Sequence, residues 1–93
     1  MRHGELPTDL ELDRVTPDFD ATTVPSGLLR AHQVGAQVWG VLEVVDGTVV
    51  FVWEDGPARS LELAAGDEVV IPPQVRHHVE PGADARFRVA FHR

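Results

Sequence analysis

Short stretches rich in apolar residues follow one another along the chain, and glycine and proline residues separate them. In some of these stretches every residue is apolar, and in others apolar and polar residues alternate. The clearest pair is 38–45 and 48–53, joined by Asp46-Gly47. Asp-Gly between two β-rich stretches is typical of a two-residue hairpin turn. Both arms carry apolar residues on both faces, as strands do inside a sandwich. The pattern therefore predicts a buried hairpin in the middle of the chain.

The end of the chain alternates cleanly. Phe87, Val89 and Phe91 fall on one face of a predicted strand, and Arg86 and Arg88 fall on the other. Side chains of a strand point alternately to its two faces, so one face should pack on a core and one should meet solvent. This strand is predicted with its phenylalanines inward.

The whole chain follows the same rule. We count eight or nine short predicted strands, including an edge strand at 10–15, and no 11-residue stretch with a helical apolar period. Many short strands between Gly/Pro turns predict an all-β sandwich or barrel. Residues 1–9 are polar, with Gly4 and Pro7, and are predicted to form a flexible lead-in. Residues 10–93 are predicted to form a single domain.

One predicted strand ends close to a pair of histidines. Gly66-Asp67 is a turn, and the β-branched residues 69–71 suit a buried strand. Pro72-Pro73 cannot continue a sheet ladder and ends that strand. His77 and His78 then begin the next stretch at the rim of the predicted fold, where a metal or a substrate could be met.

The composition restricts the chemistry. The chain has no Cys, Lys, Tyr or Asn, which excludes disulfides, thiolate sites and Schiff-base lysines. The remaining side chains point to a nitrogen/oxygen metal site or to binding without covalent chemistry. A net charge of −7 argues against nucleic acid as a partner. No apolar run approaches the roughly 18 residues of a membrane span, and no signal peptide is visible, so a cytoplasmic location is expected.

Five short motifs follow one another along the chain. They are Pro25-x-Gly27-Leu28-Leu29-Arg30-x-His32, Val38-Trp39-Gly40, Val44-Val45-Asp46-Gly47, Pro73-Gln74-x-x-His77-x-Val79-Glu80 and Phe87-Arg88-Val89-Ala90-Phe91. In this order and spacing they resemble the small single-domain cupins of the tellurite-resistance-like, DUF1971 type. The resemblance covers residues 10–93. It implies a cupin-type antiparallel β-barrel or sandwich, a jelly-roll-like double-stranded β-helix, without a settled reaction.

The chain departs from the broader cupin pattern ahead of Gly47. Cupins place His-x-His and then Glu before this glycine. Counted back from Gly47, the Glu position falls on Gly40, and the histidine positions fall near 33–36, where there is no histidine. Only His32 lies close by. The usual site of three histidines and a glutamate is therefore not present in its usual form.

His32 and His77 are the expected metal ligands, with Glu80 as the third ligand that the resemblance implies. On a regular strand, however, Glu80 shares a face with His78 and not with His77. Glu80 would join His77 only across a bulge or bend. The alternative is that His78 and Glu80 face inward together, which makes His78 the alternative ligand.

Further oxygen donors are Gln37 and Glu43 on the opposite strand. The expected cofactor is a divalent transition metal, zinc first, with iron, nickel or manganese also suited to such ligands. Trp39, Trp53 and Phe51 either line a small apolar pocket or form core.

Two functions fit these residues. The first is a metal-binding cupin of unassigned reaction, an enzyme or a sensor, that takes a small polar or oxyanionic molecule. The second is a metal-free small-ligand-binding or dimeric interaction domain that retains the fold. In both cases the expected partner is a small-molecule ligand, with neither nucleic acid nor membrane. Strands that are apolar on both faces in so short a chain also predict a homodimer, which light scattering would test.

Overall fold

The computed structural model describes residues 1–25, 36–54, 56–57 and 59–93. All regular secondary structure in these residues is β-strand. No helix that could span a membrane occurs in these residues. The all-β prediction is confirmed. The strands are β1 (Arg2–His3), β2 (Leu12–Val15), β3 (Phe19–Asp20), β4 (Trp39–Asp46), β5 (Thr48–Trp53), β6 (Arg59–Ala64), β7 (Glu68–Ile71), β8 (His77–Pro81) and β9 (Arg86–His92).

The strands form two sheets. The first has the order β1-β7-β4-β9-β2, with β3 paired to β9, and the second has the order β6-β5-β8. The pairings are antiparallel except for that of β1 with β7, which is parallel. Within the described residues the pairings do not close into a barrel, so the molecule has the sandwich form of the predicted fold. The predicted edge strand at 10–15 is confirmed, since β2 lies at the edge of the first sheet.

The hairpin prediction for β4 and β5 is wrong. β4 pairs with β7 and β9 in the first sheet, whereas β5 pairs with β6 and β8 in the second. The chain therefore crosses between the sheets at Gly47, whose φ of 68° is accessible to glycine at little cost. The same Asp-Gly sequence serves a crossover here because each arm is apolar on both faces and each has two other strands to pair with.

The core lies between the two sheets. Its largest fully buried apolar side chains are Phe51, Phe87, Leu42 and Leu63. Phe87 and Val89 of β9 are buried, as the alternation predicts, and Phe91 packs against the same core while only partly buried. Two strands of the second sheet, β5 and β8, thereby hold their inward side chains against the inward side chains of the first.

The N-terminal residues contribute to the first sheet. β1 runs beside β7, with Arg2 opposite Glu68 and His3 opposite Val69. The Nε atom of Arg2 lies 2.8 Å from a Glu68 carboxylate oxygen. Two residues of the predicted lead-in are therefore paired, while the domain boundary at residue 9 stays a prediction.

Candidate functional site

β8 carries the two neighbouring histidines to opposite faces of the second sheet. Its register against β5 is unbroken, from Trp53 opposite His77 to Val49 opposite Pro81. His77 is 1% exposed and points into the sandwich, whereas His78 is only partly buried on the outer face. The inward histidine, which the sequence left undecided, is therefore His77.

The imidazole of His77 is held in a defined orientation. Its ring stacks on Phe51, with ring centroids 5.0 Å apart and an angle of 22° between the planes. Its Nδ1 atom lies 2.9 Å from the carbonyl oxygen of Val75. A carbonyl only accepts hydrogen bonds, so Nδ1 carries the proton and donates it. When a ring with this tautomer is neutral, its lone pair is on Nε2, an atom through which histidines bind metals.

Glu80 does not share the face of His77. Because β8 has no bulge, Glu80 lies on the outer face with His78, and its Oε2 atom is 2.9 Å from Nε2 of His78. The Nδ1 atom of His78 is 2.8 Å from Oε2 of Glu54. The structure therefore brings Glu80 together with His78 and Glu54, and not with His77.

The other candidate ligands are dispersed. Glu43 lies on the outer face of the first sheet, where Nε of Arg88 donates to its carboxylate at 2.8 Å. Gln37 is exposed in a turn with a φ of 66°. His32 lies outside the described residues. Within the residues that the structure does describe, no three His, Asp or Glu side chains are grouped so as to hold a metal.

The two carboxylates beside His78 raise its pKa. The hydrogen bond to Glu80 is the largest cause, burial opposes it, and the hydrogen bond to Glu54 adds to it. A proton on His78 is therefore favoured by the folded state. The contact with Glu54 joins β8 to the residue that follows β5, whereas the contact with Glu80 lies within β8.

This arrangement predicts a pH dependence of stability. The contribution of protonated His78 is fully present below its ordinary pKa of 6.5 and is lost as the pH rises through the higher folded-state pKa. Because the partners are solvent-accessible, we expect about 1 kcal/mol or less. Urea unfolding at about pH 5 and about pH 8.5 should show this loss in the wild type and a smaller one in His78→Gln. The control, His92→Gln, should behave as the wild type, and an equal loss in His78→Gln would contradict the assignment.

Beside His77, the inner face of the second sheet carries an aromatic ring and a cation. Arg59, Trp53 and His77 are cross-strand neighbours in one row of β6, β5 and β8. The guanidinium carbon of Arg59 lies 4.0 Å from the centroid of the Trp53 ring. Trp53 in turn meets Phe51 edge to face, with centroids 4.7 Å apart. The row forms one end of the space between the sheets.

Arg59 is a candidate site residue that the sequence analysis did not identify. The signal was present, because Arg59, Leu61 and Leu63 share one face of a regular strand. Leu63 is fully buried, so this face is the inner one. An arginine at the inner end of an otherwise apolar face indicates the mouth of the sandwich.

Comparison with known proteins agrees with this architecture. A crystal structure of a protein from E. coli (strain K12) superposes with a TM-score of 0.88 at 24% sequence identity, over 96% of this chain and 95% of that one. TehB from Haemophilus influenzae gives 0.83 at 21% identity, over 91% of this chain. The chain spans only 32% of the length of that TehB.

The third similarity is to the cupin fold. A cupin-2 domain containing protein from Shewanella frigidimarina superposes with a TM-score of 0.60 at 19% identity, over 92% of this chain and 72% of that one. The predicted cupin-type fold is confirmed. No curated protein matches the chain significantly. A family model described as the TehB-like domain matches residues 14–89, which is most of the chain. The chain therefore belongs to the TehB-like domain family.

Proposed function

We propose that this chain is a metal-binding cupin domain that holds or senses a small polar or oxyanionic molecule. His77 and His32 are the proposed metal ligands. The observation that supports the proposal is the buried, oriented imidazole of His77 inside a cupin sandwich. A polar ring at this depth needs polar contacts, since burial without them is unfavourable.

The hydrogen bond of His77 matches what metal-binding histidines require. Such histidines commonly donate the N–H of the other ring nitrogen to a carbonyl or carboxylate, which fixes the tautomer and the direction of the ring. In His77 the Val75 carbonyl accepts this bond. The stack on Phe51 limits rotation of the ring. His77 therefore fits the role of one ligand.

Besides His77, the proposed ligand set contains fewer residues than the sequence analysis predicted. Glu80 and His78 are not included, because both lie on the outer face and bind each other. His32, outside the described residues, is the proposed second protein ligand. The proposed metal is zinc, with iron, nickel and manganese as alternatives that a histidine site also accepts. When bound, such a metal would act as a Lewis acid or activate a bound water.

Metal content of protein purified without a His tag tests the proposal. We expect about one metal per chain in the wild type and at least a tenfold lower content in His77→Gln and in His32→Ala, because a mononuclear site with few protein ligands depends on each of them. The adjacent His78→Ala is the matched control and should retain the metal, because His78 faces outward. Circular dichroism of His77→Gln distinguishes loss of the ligand from loss of the fold.

A thermal measurement accompanies the metal content. A ligand at about 100 times its Kd stabilises the folded state by about 2.7 kcal/mol. For a domain of this size that corresponds to a rise in Tm of about 10 °C or more. Zinc, iron, nickel or manganese should produce such a rise in the wild type and not in His77→Gln. A metal-free wild type that gains no thermal stability from any of these ions would contradict the proposal.

That negative result would favour the second function, a metal-free small-ligand-binding domain. The specific observation in its favour is that His77 is not joined by Glu80 inside the sandwich. The exposed edge strand β2, with Leu12 58% and Val15 49% exposed, leaves a place where a second copy could pair. The homodimer and the cytoplasmic location remain predictions.

A further inference from the structure

An open cavity of about 450 Å³ lies at the end of the sandwich where Arg59 and Trp53 meet. One wall is the end of β6 and β5, and the opposite wall comes from β1 and from the residues after β7. His3 and Gly4 of the N-terminal segment thus line the same space as Arg59. The cavity has the size of the pockets that hold small molecules.

Among the described residues, no carboxylate pairs with the Arg59 guanidinium of this cavity. Arg2, Arg86, Arg88 and Arg93 each lie within 4.0 Å of an Asp or Glu oxygen. Arg59 has no such ion pair with the described residues and contacts the face of Trp53 instead. Arg14 lies over Phe91 in a similar way, so what distinguishes Arg59 is its place on the wall of the cavity.

The stack on Trp53 prepares the Arg59 guanidinium for an anion. A guanidinium that lies over an aromatic face keeps its N–H edge available for a planar acceptor. A carboxylate matches this edge with two parallel hydrogen bonds. Ser60 and His3 also line the cavity and supply further donors at its polar side.

The remaining walls are apolar. Leu61, Val70, Pro72 and the Trp53 ring face the same space. An inorganic oxyanion would leave these surfaces without a partner, whereas an organic acid would cover them. We propose that this cavity binds a small organic carboxylate with a flat apolar body, whose carboxylate pairs with Arg59.

The proposed carboxylate is the small ligand of the proposed function. The inference rests on that function only in assuming that a small ligand binds at this end of the sandwich. It does not require the metal. Arg59 and His77 are separated by Trp53 in the cross-strand row, so the two sites can be tested separately.

Trp53 fluorescence provides the test. The chain has two tryptophans, so Trp39→Phe leaves Trp53 as the sole emitter. Benzoate is the carboxylate probe, benzamide is its neutral counterpart, and inorganic phosphate is the anion without an apolar body. In chelator-treated protein, benzoate should give a saturable change with a Kd of about 1 mM or below, an affinity suited to so small a ligand. Benzamide and phosphate should bind at least tenfold more weakly.

Variants separate the site from general charge effects. Arg59→Gln should raise the Kd for benzoate at least tenfold, because it removes the paired charge. Arg86→Gln is the matched control, because Arg86 lies away from the cavity, 2.9 Å from a carboxylate oxygen of Asp46. The Kd of this variant for benzoate should stay within about twofold of the wild-type value. Phosphate binding as tightly as benzoate would overturn the organic-acid assignment. An absence of saturable benzoate binding, or equal losses in both variants, would overturn the site.

The metal and carboxylate results are independent. Benzoate binding by a wild type that takes no metal would support this inference and contradict the proposed metal site. Metal binding without benzoate binding would support the metal site and overturn this inference.

Discussion

Phe51→Ala is expected to lower the free energy of unfolding by about 3–5 kcal/mol, the range for truncating a buried phenylalanine. Phe51 is fully buried, and its ring contacts both His77 and Trp53. Its removal leaves a cavity between the sheets that the strands cannot close without breaking their pairing. A domain with a total stability of about 5–15 kcal/mol would lose a large part of it.

Urea unfolding measures this loss, and two variants serve as controls. Phe51→Leu keeps most of the apolar volume and should cost clearly less than the alanine variant. Leu12→Ala, at a position that is 58% exposed, should stay within about 0.5 kcal/mol of the wild type. A loss for Phe51→Ala no greater than for Leu12→Ala would show that Phe51 is not part of the core.

Gly47→Ala is the second large effect. A Cβ atom at this position would lie 2.8 Å from the Cα of Ala85 and 2.8 Å from the carbonyl oxygen of Asp84. Both are backbone atoms, so the chain cannot yield by rotating a side chain. The positive φ of 68° adds about 1–2 kcal/mol of strain for any residue with a Cβ. Overpacking costs a further 1–3 kcal/mol, so the total loss should be about 2–5 kcal/mol.

Gly66→Ala is the matched control for this prediction. Gly66 also has a positive φ, 92°, but a Cβ there would meet no atom within 4 Å. Gly66→Ala should therefore lower the free energy of unfolding only by the backbone strain, about 1–2 kcal/mol. The difference between the two variants in thermal or urea unfolding measures the contact at the crossover. Equal losses would contradict the close approach of Gly47 to residues 84 and 85.

The strands themselves could be predicted well from local pattern. The alternation in β9 predicted Phe87 and Val89 inward, and both are buried. The prolines after β7 ended that strand where expected, since β7 stops at Ile71. Which strands pair is a different question, because partners are chosen by the whole set of apolar faces. Gly47 was therefore predicted in a hairpin, whereas it lies at a crossover between sheets.

The candidate site was only partly predictable for a similar reason. The alternation of side chains along a strand predicts that His77 and His78 face opposite sides of the sheet. Which of the two faces the core depends on the conformation of the turn before β8. Gln74 has a φ of 62° in that turn, and a local pattern does not predict such a residue. Once β8 pairs regularly with β5, Glu80 must follow His78 outward. Arg59 was missed because a charged residue at a strand end normally indicates solvent.

Crystals grown with zinc would show directly whether His77 binds a metal, through an anomalous-difference map collected at the zinc absorption edge. We expect one strong peak inside the sandwich, about 2.0–2.1 Å from Nε2 of His77, the usual zinc–histidine distance. The Nδ1 hydrogen bond to Val75 should remain in place. A map with no peak at His77, or with its peak between His78 and Glu80 on the outer face, would contradict the claim that His77 is a metal ligand.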